Sequence, residues 1–473
     1  LGHESVPITL AIERPQVTDS TAWRVATTLR AAGVAPRGFG LYSATDYADL
    51  IDHPVEMGDF DLIEFEASGA PHQMTLSGRH RADTGRLAAD LAKICTEHIE
   101  LFGAPAPMPR YLFLTRVVKK GYGGLEHCDS SALICARDDL PLAGETKLSR
   151  SYRTFLGLCS HEYFHLWNVK RIQPRAFAES DLSSEAYTED LWAYEGVTSY
   201  YDELALVRAG LVDLNGYCEL IAEAATRLWR TPGRQKQSLA ASSFDAWTKF
   251  YRPDENTPNA VVSYYNKGAL VALCLDLKLR LESDGRRDLD QVIRTLWQRY
   301  GKTEMPAPER ALESLSQELS GLDLGGFFER MIRGTDDPPL AELLPVFGIE
   351  AQLCQAPANG DRSGVNLGLR LVSDASQAQV QYVLDGTPAQ AAGLSAGDVL
   401  VALDGLRVDG QEFDRVLSGY SPGDRISLHV FRRDELMEFT VVLAPRMADT
   451  WLLRPKLDAD ADALVRRKAW LRQ

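Results

Sequence analysis

Ser160-His161-Glu162-Tyr163-Phe164-His165-Leu166 sets two histidines four residues apart, with a glutamate directly after the first. That spacing has a use only on an α-helix, where residues i and i+4 stand one above the other and two imidazoles can reach the same ion. The flanking residues meet the requirement. Leu156, Cys159, Tyr163 and Leu166 recur at intervals of 3, 4 and 3, an apolar stripe for packing against a core. At about 100° per residue both histidines fall roughly opposite that stripe. Any fold open to this chain must hold the helix half-buried, with its polar side in a cleft.

A catalytic zinc ion keeps three protein ligands and one open position, so one further donor is needed. Glu195 is expected to supply it, from Leu191-Trp192-Ala193-Tyr194-Glu195-Gly196-Val197-Thr198, a helical segment whose glycine permits close helix approach. Glu185 and Glu189 are rivals, but Ser183-Ser184-Glu185-Ala186 reads as a loop or helix start, where Glu is common as a cap. Glu162 sits where it can take a proton from an attacking water without ligating the ion, and then deliver it to a leaving amine. Ser263-Tyr264-Tyr265-Asn266-Lys267-Gly268 offers a phenol as donor to a tetrahedral oxyanion. Taken alone, such a tyrosine pair is more often core. One zinc ion per chain is expected, although cobalt or manganese suits the same donors.

The 473 residues exceed one ordinary core and call for several domains. A formal charge of −15 with no offsetting basic stripe argues against a nucleic-acid partner. Seven scattered cysteines, odd in number and without a CxxC pair, fit a reducing compartment, so cytoplasm is expected over periplasm. No apolar run reaches membrane-spanning length. The texture is β-rich over 1–86, with strands expected at Val6 to Ile12 and Asp61 to Phe65. It turns helical over 87–350, apart from Tyr111 to Val118, which reads as a buried strand. Ala356 to Gly364 reads as a linker, 362–446 is strand-rich, and 447–473 forms a tail ending in an amphipathic helix over Ala459 to Leu471.

Trp192-x-x-Glu195-Gly196 followed by Tyr265-x-Lys267-Gly268 resembles the gluzincin aminopeptidases. In those enzymes the Glu of the first motif is the third zinc ligand and the Tyr of the second stabilises the transition state, roles that would fall on Glu195 and Tyr265. Gly123-Gly124-Leu125-Glu126-His127 is similar to their exopeptidase motif, with His127 in place of the usual Asn. The resemblance implies that Glu126 binds the free α-amine of a substrate, where an ammonium–carboxylate pair would set the scissile bond one residue from the chain end. The extended run His161 to Arg171, the 30-residue gap from His165 to Glu195, Phe327-Phe328 and Arg333-Gly334-Thr335 look like the glycyl aminopeptidase family, gluzincins with a C-terminal PDZ domain. That family implies a multi-domain α+β protein: a β-rich N-terminal region, a thermolysin-like and mainly helical catalytic domain, and a PDZ domain. Its members begin with a longer β-rich domain, so this chain is expected to start inside it. The family also implies removal of an N-terminal Gly or Ala, with Tyr122, Trp192 and Tyr194 as candidates to line a small first pocket.

The C-terminal module carries its own pattern. Gly386-Thr387-Pro388-Ala389 opens a short helix that Gly393 ends, and Asp404-Gly405 makes a tight hairpin after Val399 to Leu403. GTPAxxAGLxxGDVLVxxDG resembles bacterial PDZ domains, which bind peptide ends by strand addition. Asn366-Leu367-Gly368-Leu369 looks like the loop that cradles a terminal carboxylate. Two other readings share these residues. A zinc endopeptidase could recruit protein tails through the PDZ domain, leaving Glu126 incidental, and a PDZ adaptor could carry a retired peptidase fold. Peptides with a free N-terminus, and peptide tails at the PDZ domain, are the partners expected.

Overall fold

Tyr111–Val118, apolar at nearly every position, forms the middle strand of a five-stranded sheet. It pairs in parallel with Ala70–Ser77 on one side and Ser130–Ala136 on the other, which requires cover on both faces. Asp61–Ala67 closes one edge and Gly123–Glu126 the other, each antiparallel to its neighbour. The helix Thr84–Phe102 crosses between the parallel strands. Asp83 Oδ1 caps its first turn by accepting from the Arg86 amide at 3.0 Å, and Gly103, at φ 94°, ends it. The chain is described here by a computed structural model covering residues 2–17, 20–181, 183–355, 364–372 and 377–473.

The expected break between 86 and 87 falls inside this sheet. Asp61–Ala67 and Ala70–Ser77 belong to the same hydrogen-bonded unit as Tyr111–Val118. The change of texture at 87 marks a switch from strand to helix within one layered unit. Before it, a smaller region holds the sheet Ile8–Ile12, Gly40–Ala44 and Arg30–Ala31, and the pair Arg24–Ala26 with Glu56–Gly58. Ile12, Val25, Leu29, Tyr42 and Ala44 form its core.

Helices Arg150–Phe164, Val197–Arg208, Leu214–Trp229 and Tyr264–Glu282 pack with the five-stranded sheet around one continuous core. The segment expected to be a tail joins this core. Thr450–Pro455 pairs antiparallel with Ile349–Cys354, and the helix Ala461–Leu471 buries Trp470 and Leu471. Trp470 Nε1 donates to the Tyr200 hydroxyl at 2.8 Å, and Arg472 pairs with Glu97 and Asp290 at 2.8 Å each.

The strand-rich C-terminal module is thus inserted between two strands of the larger body, Ile349–Cys354 and Thr450–Pro455. Its sheet runs in the order Leu369–Leu371, Ala378–Val383, Val399–Leu403, Arg425–Arg432 and Glu435–Val442. A separate core includes Val380, Leu400, Leu403, Phe413, Leu428 and Val441. Asn259 ties it to the helical body, donating to Val383 O at 2.8 Å and accepting from the Asp385 amide at 2.9 Å. The expected linker lies outside the described residues except for Gly364. Among the described residues no helix is long and apolar enough to cross a membrane, and all seven cysteines are free.

Candidate active site

The helix Arg150–Phe164 carries His161 near its C-terminal end, with His165 as its capping residue. Leu156, Cys159, Tyr163 and Leu166 are fully buried against the sheet, so the apolar stripe does what its spacing predicts. Beyond His165 the chain reverses sharply. Val169 sits at φ 118°, a region that disfavours a β-branched residue and costs on the order of 1–3 kcal/mol. Arg171 holds the reversal by donating to Leu166 O at 2.8 Å and Cys128 O at 2.6 Å.

Glu195 lies in a π-helical turn, Trp192–Gly196, that runs straight into the helix Val197–Arg208. Such a turn leaves carbonyls without their usual helical partners. The buried Asn168 amide donates to two of them, Ala193 O and Tyr194 O, at 3.1 Å each. Gly196 explains the close approach. A Cβ there would lie 2.6 Å from Gly268 Cα and 2.8 Å from Tyr264 O, both backbone atoms of the crossing helix Tyr264–Glu282. The glycines of the two motifs therefore touch, and their contact carries Glu195 and Tyr265 to the same place. The exposed Glu185 and Glu189 are not part of it.

His161 Nε2 and His165 Nε2 stand 3.3 and 3.2 Å from one oxygen of Glu195. Ligand atoms about 2.0–2.1 Å from a tetrahedral ion are separated by about 3.3 Å, so this donor set has the right size for zinc. The tautomers point the same way. His165 Nδ1 lies 2.8 Å from Asn168 O, a carbonyl that can only accept, so Nδ1 carries the hydrogen. His161 Nδ1 donates to Asp202 Oδ2 at 2.9 Å. With Nδ1 committed as donor, each ring turns Nε2 towards the carboxylate oxygen, a gap that a proton or a metal ion can fill. The same field acts on protons. Burial lowers the His165 pKa, but the Glu195 charge outweighs it and raises the ring to about 9. Burial pushes Glu195 up, yet His165 and His161 hold it well below the ordinary carboxylate range.

Glu162 is 5% exposed, and its Oε2 has no hydrogen-bond partner among the described residues. Burial raises its pKa; the two histidines oppose this, while Glu126 and Glu195 add to it. Gly124, on the edge strand Gly123–Glu126, lies against it, since a Cβ at 124 would fall 2.2 Å from Glu162 Oε1. That strand brings the Glu126 carboxylate within 4.8 Å of donor atoms of Glu162 and His165. Tyr265 lies beside His161, its ring centroid 6.2 Å from that of the imidazole. Of the aromatics expected at a first pocket, Trp192 and Tyr194 are buried in the core and only Tyr122 is exposed.

Asp202, Asn168 and Tyr251 escaped the sequence reading. Asp202 follows Glu195 by seven residues, two helical turns, a signal that the motif spacing could have supplied. At the PDZ domain, Leu367 O accepts from the Ala389 amide and Gly368 O from the Leu384 amide, so these carbonyls turn inward. Asn366 pairs in the short strand Val365–Asn366, and Leu369 begins the edge strand of the sheet.

The model of the M61 glycyl aminopeptidase matches residues 154–271, that of the peptidase M61 N-terminal domain 1–59, and that of the PDZ domain 365–443. An aminopeptidase N family protein from Idiomarina loihiensis is 39% identical with a TM-score of 0.93, over 99% of this chain and 80% of that one. The chain belongs to the M61 glycyl aminopeptidase family. It is an enzyme, a hydrolase of the aminopeptidase class. An M1 zinc metallopeptidase from Deinococcus radiodurans is 17% identical with a TM-score of 0.47, over 71% of this chain and 65% of that one. No curated protein matches the chain.

Proposed function

We propose that the enzyme removes a single N-terminal residue, Gly or Ala by family, from peptides, using one zinc ion held by His161, His165 and Glu195. The carrying observation is the convergence of the Glu126 carboxylate with Glu162 and His165 from an edge strand. A bound zinc ion supplies a Lewis acid for the scissile carbonyl and makes a nearby water more acidic. The chain's own residues do the rest. Glu126 pairs with the substrate ammonium and sets how far the peptide enters. Glu162, buried and with Oε2 free of partners, takes a proton from the attacking water and passes it to the leaving amine. Tyr265, beside His161, donates to the oxyanion. Asp202 and Asn168 hold the imidazoles in the tautomer that leaves Nε2 free to ligate. At the PDZ domain, Leu369–Leu371 is the outermost strand of its sheet, which supports docking of a peptide tail by strand addition.

The test is hydrolysis of Gly-, Ala- and Leu-p-nitroanilide beside an N-acetylated peptide, with and without chelator. Chelator-sensitive release from Gly or Ala, with the blocked peptide intact, is expected. Cleavage of the blocked peptide would transfer the case to an endopeptidase and remove the role given to Glu126.

A further inference from the structure

Tyr265 does not stand alone beside the histidines. Its hydroxyl lies 2.9 Å from that of Tyr251, and the Tyr264 hydroxyl donates to Tyr251 at 3.2 Å. Tyr251 comes from a different part of the chain, just after the π-helical turn Ala246–Phe250, and is 55% exposed. Phe250 fixes the group. Its ring meets Tyr251 edge-on at 5.3 Å and lies 5.0 and 5.7 Å from Tyr264 and Tyr265, which stack on each other at 4.6 Å. Three phenols from two segments thus share one hydrogen-bonded line whose last ring lies beside His161.

One direction of that line serves the cleft. Each phenol has a single hydrogen to give and an oxygen that accepts. Tyr264 donates to Tyr251, and in the Tyr251–Tyr265 pair either hydroxyl can be the donor; with Tyr251 as donor the Tyr265 hydrogen is free. An accepted hydrogen bond at Tyr265 sends its own hydrogen away from Tyr251 and into the cleft, and each bond polarises the next.

We infer that Tyr251 is a positioning residue for the hydrolytic step: as the middle member of the line Tyr264–Tyr251–Tyr265, it aims the Tyr265 hydroxyl at the oxyanion. This rests on the role proposed for Tyr265. It assigns to the segment carrying Tyr251 a part in catalysis that no ligand position or motif marks. Tyr251→Phe keeps the ring and its packing on Phe250 while removing the central hydrogen bond, so the fold is not at stake.

The experiment compares wild type, Tyr251→Phe, Tyr265→Phe and the double variant. Two readouts are taken: kcat and KM on Ala-p-nitroanilide, and the affinity of the zinc-loaded protein for a phosphinic glycyl pseudodipeptide by calorimetry. The phosphinate carries its charge where the oxyanion would be. Tyr251→Phe is expected to lower kcat and phosphinate affinity about tenfold, with KM within about twofold. The double variant should be no worse than Tyr265→Phe, because Tyr251 acts only through Tyr265. Wild-type affinity in Tyr251→Phe, or losses that add in the double variant, would overturn the inference while leaving Tyr265 in its role. No loss in Tyr265→Phe would remove the role of Tyr265, and the inference with it.

Discussion

Gly196→Ala probes the contact on which the site is assembled. The added Cβ would meet Gly268 Cα at 2.6 Å, the Gly268 carbonyl carbon at 2.8 Å and Tyr264 O at 2.8 Å. Ordinary contact begins at 3.4 Å, so the shortfall at the closest atom is about 0.8 Å. None of these atoms belongs to a side chain that can rotate away. The helix Tyr264–Glu282 must therefore part from the Trp192–Gly196 turn by about that distance. Overpacking of this kind costs about 1–3 kcal/mol, and the better helix propensity of alanine offsets about 1. The net loss of about 0–2 kcal/mol leaves the fold standing. Catalysis is less tolerant, since a displacement of about 1 Å can cost on the order of a hundredfold in rate. Glu195 adjoins Gly196, and Tyr265 lies three residues before Gly268, so the two would separate. The assay is kcat/KM on Ala-p-nitroanilide, with metal content and thermal midpoint measured on the same preparations. A fall of about ten- to a hundredfold is expected, with a midpoint lower by only a few degrees. Gly268→Ala should behave alike, because its Cβ would lie 2.9 Å from Gly196 Cα. Full activity and metal retention in both variants would refute the reasoning.

Four further outcomes are expected. Glu162→Gln should lower kcat on the order of 10²–10⁴-fold with metal content unchanged, and retained turnover would sink its role as proton carrier. Asp202→Asn removes the charge behind His161, so metal affinity measured by chelator competition should weaken about 10- to 100-fold; an unchanged affinity would count against that role. Asp190 is 6% exposed, and burial raises its pKa, opposed by the Arg310 amide and aided by Glu309. Its stabilising contribution is complete below the unfolded value of about 3.9 and is lost as pH rises through the elevated folded value. The thermal midpoint of Asp190→Asn should therefore gain on wild type between about pH 5 and pH 8, and a constant gap would refute the assignment. Trp470→Ala removes a fully buried ring between Tyr217 and Phe347 and should cost about 3–5 kcal/mol by denaturant unfolding; under about 1 kcal/mol would mean that the C-terminal helix contributes little.

Local periodicity determined much of this protein. The i, i+4 pair His161 and His165 and its apolar stripe could be satisfied only by a half-buried helix, and the Tyr111–Val118 run only by a doubly covered strand. The turn residues of the PDZ domain likewise act within a few residues of themselves: Gly386, Gly393 and Gly405 all adopt positive φ. Glu195 was legible for a related reason, because the glycine beside it announced close packing. What packed there was not legible. The contact of Gly196 with Gly268 joins segments far apart in sequence, and nothing local to either specifies its partner. The same holds for strands Asp61–Ala67 and Ala70–Ser77, whose alternation looks alike whichever sheet they enter. The return of Thr450–Pro455 to Ile349–Cys354 and the line from Tyr264 through Tyr251 to Tyr265 are of this kind too. A helix or strand is chosen by interactions over four residues or fewer, and the sequence displays those directly. Which faces meet is chosen by shape and hydrogen-bonding complementarity between distant surfaces, and that exists only once the chain has folded.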